Sequence, residues 1–353
     1  MMADFELLKT LSEARGISGR EGEVREMILA GIRPFAEKID ITPLGNILAY
    51  RRGKKRAPKR LMISAHMDEV GMIVTHITDD GLLKFSTVGG IDRRVLPGKS
   101  VTVGKNVRGV VGVRPIHLLK KDEAGKSVPV EELYLDIGAQ TRAEAETAVQ
   151  PGDEVTFDSV FDTEHGTIKG RALDDRAGCA ILMELMSRQP EYDTVFAFVV
   201  QEEIGLHGAK TAAFAAEPEA AIVVESTTAA DVAGVDAEKQ VCRLGKGPVV
   251  SFMDRRTVYD RDYYRMAFRA AEQAGVKCQA KQAVAGGNDA GAIHVSRGGV
   301  RTIAVSLPCR YLHSAVGVIA QDDFLAAPKL IRKLAQMIEE ERPETKPHVE
   351  AAD

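Results

Sequence analysis

Five short segments carry side chains that together could hold and use divalent metal: His66-Met67-Asp68, Asp174-Asp175, Glu202-Glu203, Glu225 and His313. Each ends an apolar run or opens an amphipathic one, where an open α/β sheet presents its binding residues. Two imidazoles with several carboxylates form a ligand field suited to Zn2+, Co2+ or Mn2+. A carboxylate has two oxygens and can bridge metals about 3.5–4 Å apart, as in two-metal peptidases. Glu202 and Glu203 follow the apolar run 195–200, and adjacent buried acids are costly unless a cation sits beside them. The natural division is that one of the pair binds metal while the other handles a proton.

Taken singly, each segment has an ordinary reading. His66 and Asp68 could cap a strand, and Asp174 or Asp175 could N-cap a helix, although capping accounts for one Asp better than for two. Glu225 ends the strand-like run Ile222-Val223-Val224, and His313 follows the strand that ends at Pro308. The whole set in one chain favours a metal site. A metal-bound imidazole needs an acceptor for its other N–H, and Asp68 could reach His66 through a local bend. The stretch Gly286-Gly287-Asn288-Asp289-Ala290 precedes a helix. Backbone N–H groups at Gly287, Asn288 and Asp289 could hold a substrate group there, or the polar side chains could simply cap the helix.

The elements that must position these residues follow from patterning. Ser18-Gly-Arg-Glu21 reads as a capping box opening a helix with Val24, Met27, Ile28 and Ile32. A strand pair over 39–50 and the apolar strand 61–65, ending on His66, come next. From about residue 70 to 165 the texture changes to short alternating stretches punctuated by Gly, Pro and Asp, the pattern of a small antiparallel β unit. One helix, 142–149, interrupts it. Alternation of helix and strand then resumes: helix 175–186, strand 195–200, helix 209–216, strand 221–224, helix 261–274, strand 302–307 and helix 323–341. Parallel strands linked by helices, with a β block inserted after the first metal residue, is the expected α/β architecture. The polar tail from residue 341 is expected to fray.

Composition narrows the classes. The chain has 353 residues, 44% hydrophobic and 28% charged, with a formal net charge of −4. That is a globular composition, and the charge argues against nucleic acid as main partner. No apolar run approaches the roughly 18 residues that span a bilayer, and the N-terminal segment lacks the pattern of a secretory signal. Cys179, Cys242, Cys278 and Cys309 are widely spaced without a CxxC pair, as in reduced core thiols of a cytoplasmic protein. The basic run RRGKKRAPKR reads as a solvated hairpin loop.

The blocks ISAHMDEVGMIV, GGIDRRVLPGK, DIGAQTRAEAE, GRALDDRAGC, VVQEEIGLHGA, GGNDAGAIH and CRYLHS resemble, in order, the signatures of the tetrahedral (TET-type) dinuclear metallo-aminopeptidases, which include glutamyl, leucyl and deblocking aminopeptidases. The resemblance runs from the first helix to about Ile319. It implies a metallo-exopeptidase-like fold, with a mostly parallel central sheet flanked by helices and a small β-barrel domain inserted in it. Residues 1–68 and 165–353 would form the catalytic domain, and 69–164 the dimerisation domain. It implies further that Asp174 bridges two metals, with His66 and Glu225 completing one and Glu203 and His313 the other. Glu202 would be the general base and Asp68 would orient His66. Family members carry Asp or Glu at the position of Glu225, which leaves the denticity of that ligand open. The bond between Asp174 and Asp175 is similar to one often cis in this class. Dimers would assemble into a hollow tetrahedral dodecamer.

The expected function is therefore that of a cytoplasmic aminopeptidase with two divalent ions per subunit, Zn2+ with Co2+ or Mn2+ as alternatives, cutting N-terminal residues from short peptides. Membranes and nucleic acid are not expected partners. Three alternatives are weighed against it: an amidase or deacylase on the same dinuclear site, a glycosidase, and a non-catalytic relative. Glycosidic chemistry wants carboxyls about 5–9.5 Å apart across a sugar rather than acids in a metal cluster, and the chain has no Trp to stack on sugars. The retained base and ligands argue against the non-catalytic reading. No metal ligand except the flanking His66 is expected to lie near the inserted block.

Overall fold

The structure is a computed structural model that describes residues 5–119 and 125–341. The tail expected to fray lies outside the described residues beyond Glu341. Helices α1 (Phe5–Glu13) and α2 (Gly22–Ile32) precede strands β1 (Lys38–Ile41), β2 (Ile47–Arg51) and β3 (Leu61–His66). Strands β4 (Gly71–Ile77), β5 (Leu83–Val88), β6 (Ser100–Val103), β7 (Val107–Gly112), β8 (Tyr134–Asp136) and β9 (Glu154–Phe157) follow, with the short helix α3 (Arg142–Ala145). The chain then runs through β10 (Thr167–Gly170), α4 (Leu173–Ser187), β11 (Thr194–Val199), α5 (His207–Ala216), β12 (Ala220–Thr228) and β13 (Val249–Val250). It ends with α6 (Arg261–Ala274), β14 (Gln279–Ala280), α7 (Ala290–Ile293), β15 (Arg301–Cys309), β16 (Gly317–Ala320) and α8 (Gln321–Glu340).

Eight strands form one sheet in the order β1-β2-β11-β3-β12-β15-β13-β14. The four central strands, β11, β3, β12 and β15, run parallel, and β2 and β13 join them antiparallel at either side. All six residues of β3 and of β11 are buried, which is why these strands read as unbroken apolar runs rather than alternating ones. Helices α4 and α8 pack on β12 and on one another, while α5 and α7 pair against β11, β12 and β15. Strands β4 to β9 close into a separate six-stranded antiparallel barrel around its own core of Met72, Val74, Leu83, Val101, Leu135 and Val155. The mostly parallel sheet with a small β-barrel matches the expected fold class.

Two local expectations fail. Ser18 and Glu21 do not build a capping box: Glu21 occupies the N-cap of α2 without a side-chain cap bond, because both side chains are used elsewhere, as described below. The helix expected over 142–149 stops at Ala145 and continues only as turns; Pro151 restricts the residue before it to extended backbone and ends the helical run.

Barrel and sheet are joined at a buried arginine knot. Arg176, with no exposure, donates to the carbonyls of Met67, Leu11 and Ala14. Arg171 donates to those of Ser12, Glu13 and Ala14. Glu69, buried between them, lies 3.3 Å from Arg171 and 3.4 Å from Arg176. Fully buried guanidinium groups survive only when their donors are met this way.

At the opposite end of the strands the basic run is exposed, as expected, and also paired. Lys54 and Lys55 meet Glu191, Arg56 meets Asp193 and Lys59 meets Glu341. Glu339 on α8 is the exception. It is 3% exposed, and neither oxygen makes a well-formed hydrogen bond. Burial pushes its pKa up to about 7, and the Lys59 backbone and ammonium pull it back only in part. A carboxyl with a pKa higher folded than unfolded adds stability below its ordinary value of 4.5, and loses it as pH rises through about 7. Glu339→Gln should therefore raise the thermal midpoint over wild type at pH 8.5 and change it little at pH 5.5. Calorimetry at the two pH values checks this; an equal gap at both would contradict it.

Candidate functional site

The expected ligands converge at the carboxyl ends of the parallel strands, where open α/β sheets bind their ligands. His66 is the last residue of β3, Glu202 and Glu203 sit in the turn after β11, and Glu225 lies towards the end of β12. His313 follows β15, and Asp174 lies at the start of α4 with non-helical backbone. Ala172, Gln201, Tyr311 and His313 all take positive φ. Non-glycine residues in that region cluster at sites where the surroundings dictate the backbone. The peptide between Asp174 and Asp175 is cis.

The Asp174 carboxylate stands in the middle. Its Oδ1 is 3.5 Å from His66 Nε2, and its Oδ2 is 3.4 Å from His313 Nε2. On the first side Glu225 Oε1 lies 3.2 Å from His66 Nε2; on the other Glu203 Oε2 lies 3.2 Å from His313 Nε2. Two clusters result, His66-Asp174-Glu225 and Asp174-Glu203-His313, with ligand atoms mutually within 4.8 Å; His66, Glu202 and Glu203 form a third such group. Around a tetrahedral ion with bonds of about 2.0–2.2 Å, ligand atoms stand roughly 3.3–3.6 Å apart, close to the spacings seen. Asp174 Oδ1 and Glu225 Oε2 are buried without a hydrogen-bond partner. Unpaired carboxylate oxygens are costly unless a cation meets them. The residues fit divalent metal.

Electrostatics carry the same message. Burial alone would lower the pKa of His66, but Glu225, Asp174 and Asp68 hold it well above the ordinary imidazole value. The same contest, with Asp174 and Glu203, lifts His313 to about 9. Burial raises Glu203 and Glu225 well above the carboxylate range, with Asp174 adding to it. Glu202 is raised to about 7 by burial, with Asp174 and Asp68 pushing the same way and His66 opposing. Burial and mutual repulsion of this many acids are relieved when a cation joins them.

Asp68 differs from expectation in an informative way. The group nearest His66 Nδ1 is the Asp68 backbone carbonyl, at 3.0 Å, while the carboxylate Oδ1 is 3.5 Å away. Strand β3 ends at His66 and the chain turns, so the carbonyl swings under the ring. The carboxylate instead accepts the backbone N–H groups of Glu202 at 3.0 Å and Glu203 at 3.1 Å, and the Ser18 hydroxyl at 2.6 Å. Although burial favours its neutral form, His66 and these donors hold its pKa below the usual range. Glu21 acts in parallel, accepting from the N–H groups of Gly19 and Gln201. Of the two aspartates at 174 and 175, only Asp175 caps the helix, accepting from Gly178 N–H at 3.1 Å.

The barrel does not stand apart from this chemistry, contrary to expectation. His313 Nδ1 lies 3.0 Å from the carbonyl of Gly90, in the loop after β5. A small cavity of about 20 Å³ beside Asp174, Glu203 and His313 is walled in part by Phe157 of β9. Among the residues expected to touch substrate, Asn288 serves the fold: its Oδ1 accepts from Tyr259 and from Ala290 N–H. Gly287 lies against the Arg256 side chain, where a Cβ would come within 3.0 Å. Asp289 is fully buried with both oxygens unpartnered, and burial together with the charges of Glu202 and Asp68 raises its pKa. The sequence reading missed Lys281, a buried lysine bonded to the Ala285 carbonyl at 2.7 Å. Burial lowers its pKa against the pull of Asp254 and Glu225. Nothing in its sequence neighbourhood marks it.

Comparison with known proteins bears on the chain as a whole. The profile for M42 glutamyl aminopeptidase matches residues 45–330. The lysyl aminopeptidase of Pyrococcus furiosus is 34% identical over 347 residues, 95% of this chain and 97% of that protein. The TET aminopeptidase of the marine sediment archaeon Thaumarchaeota archaeon SCGC AB-539-E09 superposes with a TM-score of 0.90 at 34% identity, covering 94% of this chain and 95% of that one. The TET1 peptidase of Pyrococcus horikoshii, described as assembling into a tetrahedron or a large octahedral shell, superposes at 0.82 with 36% identity, covering 94% and 98%. A metal-fitted carboxyl edge on a parallel α/β sheet defines the class, and the chain belongs to the M42 aminopeptidase family.

The Asp68 carboxylate is expected to control the turn that carries Glu202 and Glu203. Asp68→Ala should weaken metal affinity by about 10–100-fold, the usual cost of removing a group that orients ligands. Ser18→Ala, which removes one of three donors, should cost far less. Metal titration of the apoprotein checks both, and wild-type affinity in the alanine variant at 68 would contradict the assignment.

Proposed function

We propose that the chain is an aminopeptidase using two divalent metal ions per subunit to remove N-terminal residues from short peptides. The observation that carries the reading is the Asp174 carboxylate, with one oxygen facing His66 and Glu225 and the other facing His313 and Glu203. His66, Glu225 and Asp174 would hold one ion, and Glu203, His313 and Asp174 the other. Zn2+ suits this donor set, with Co2+ or Mn2+ as alternatives. When bound, such ions polarise the scissile carbonyl and lower the pKa of the attacking water.

The residues supply the rest. Glu202 is surplus to the two ligand sets yet sits beside Glu203 with its backbone pinned by Asp68, which is the position a general base requires. It takes the proton of the attacking water and returns it to the departing amine nitrogen. Asp68 positions that base and, through its carbonyl, the ring of His66. Gly90 does the same for His313. Asp289, buried without a partner and within electrostatic reach of Glu202, is our candidate for the group that meets the free α-ammonium of a peptide. The four unpaired thiols fit a reducing compartment such as the cytoplasm; no helix among the described residues is long and apolar enough to cross a membrane.

We further assign the barrel, with its surroundings over 69–164, to subunit pairing within a tetrahedral dodecamer of dimers, on a catalytic unit built from 1–68 and 165–353. Exposed Ile116 (82%) and Val160 (83%), together with Val110 and Leu118, lie in this block. Exposed apolar side chains mark an interaction surface where they form one contiguous patch. The tetrahedron described for the Pyrococcus horikoshii relative, which also forms a large octahedral shell, supports a tetrahedral assembly.

Glu202→Gln should retain both metals and the thermal midpoint while lowering kcat by about 10²–10⁴-fold on aminoacyl chromogenic substrates. Near-normal turnover in the metal-replete variant would remove Glu202 from the mechanism. Equal or better hydrolysis of N-acylated substrates would turn the reading towards a deacylase. Light scattering of the full chain should give a mass about twelve times 38.2 kDa; a monomer would overturn the assembly without touching the metal chemistry.

A further inference from the structure

A second cavity, of about 230 Å³, lies at the other end of the sheet, between the last turns of α4 and α8 and the first residues of β3 and β11. His66 and Leu61 stand at opposite ends of β3. Five residue steps of roughly 3.3 Å put this cavity some 17 Å from the metal site. Leu61, Ile63, Leu185, Phe196 and Ala335 give it apolar walls. Glu339 lines it too.

The charges around it are unevenly settled. Lys54 at the mouth is paired with Glu191 at 3.2 Å, and Arg332 with Glu184 at 3.2 Å. Lys59 is engaged with Glu341. Glu339 keeps a buried carboxyl whose two oxygens lack a well-formed hydrogen bond, and the Lys59 ammonium that acts on it is paired with Glu341. An independent feature has the same sign: α4 ends at Ser187 and α8 at Glu340, so two helix C-termini, each the negative end of a dipole, border the cavity. A carboxyl raised by burial recovers its charge, and its stabilisation, when a cation joins it.

We propose that this cavity is a binding site for a small primary ammonium compound with an apolar body, its ammonium on Glu339 and its body against Leu61, Ile63 and Phe196. A cavity of about 230 Å³ has room for a chain of six carbons bearing one amine. Two sources share this chemistry: a simple alkylamine, and a free amino acid with an aliphatic side chain. The site is separate from the metal centre and does not rest on the peptidase reading.

The test uses the full-length, metal-loaded protein at pH 8, titrated calorimetrically with hexylamine, hexan-1-ol and L-leucine. Hexylamine should bind at one site per chain that is lost in Glu339→Gln, and at least tenfold tighter than hexan-1-ol. Hydrolysis of a chromogenic aminoacyl substrate should be unchanged in Glu339→Gln in the absence of amine. Ala335→Phe, which fills the cavity and keeps the carboxylate, should abolish the same site, so the proposal survives if Glu339→Gln fails to fold. Leucine competing with hexylamine for that site would identify the amino-acid source, and leucine without effect would identify the simple amine. A crystal soaked in 5-bromopentylamine should show bromine density between α4 and α8. Equal binding of amine and alcohol, amine binding retained in both variants, or bromine density only at the metal site would overturn the proposal.

Discussion

The site depends first on one carboxylate. Asp68 is completely buried, yet it accepts three hydrogen bonds, from two successive backbone N–H groups and a hydroxyl. Bonds to an ionised acceptor are roughly twice as strong as neutral ones, which is how a buried charge can be held below its usual pKa. The consequence is geometric. Adjacent acids at 202 and 203 repel each other and would open their turn, and the carboxylate that fixes the turn belongs to Asp68, two residues beyond His66. The spacing between the end of β3 and the end of β11 is thereby set twice, once by the sheet register that pairs His66 with Val199 and once by Asp68. Ser18 and Glu21 extend the bracket into the segment between α1 and α2, so the N-terminal helices belong to the site without touching it.

A second constraint is the excess of acid. Asp174, Glu202, Glu203 and Glu225 share one pocket with only two imidazoles, and two of their oxygens are left unpaired. An arrangement of this kind is poor for stability by itself, because breaking or leaving open a buried charge pair costs several kcal/mol. It makes sense as a site whose final charges are supplied from outside, with binding free energy contributing to folding. The arginine knot beneath it, Arg171 and Arg176 around Glu69, shows the contrasting case of a buried charge network complete within the chain. The Gly90 contact then ties His313 to the barrel, so movement of the barrel relative to the sheet would be felt at one ligand.

Much of this was legible in the sequence, for physical reasons that differ from residue to residue. Fully buried parallel strands leave unbroken apolar runs, so a charge at their end stands out, and His66, Glu202, Glu203 and Glu225 were visible for that reason. Asp174 was visible because two successive acids exceed what one helix cap needs, and Asp175 does prove to be the cap. Ser18 and Glu21 misled because a capping box and a long-range bracket use the same residue types at the same spacing. Only tertiary contact decides between them. Asp68 was found, but the turn after His66 exchanged the roles of its carbonyl and carboxylate. Asp289 stood in a noticed motif with no sign of its isolation, and Lys281 carried no local signal, since its burial comes from elements distant in sequence.

The two ends of the sheet solve the same problem in opposite ways. At the carboxyl ends of the strands acids outnumber partners. At the amino ends the basic run meets acids at Glu191, Asp193 and Glu341, while Glu339 keeps two oxygens without a well-formed hydrogen bond. Separating them is a band of buried β3 and β11 residues, Met62 to Ala65 and Val195 to Phe198, with one hydroxyl among the apolar side chains. Across some 17 Å, two unit charges at an effective dielectric near 20 interact by about 1 kcal/mol, and ionic screening reduces it further. Direct electrostatics therefore couple the two ends weakly. Any influence of the lower cavity on the metal site would travel through packing, along β3 and β11 or through α4, whose first turn carries Asp174 and Asp175 and whose last turn borders the cavity.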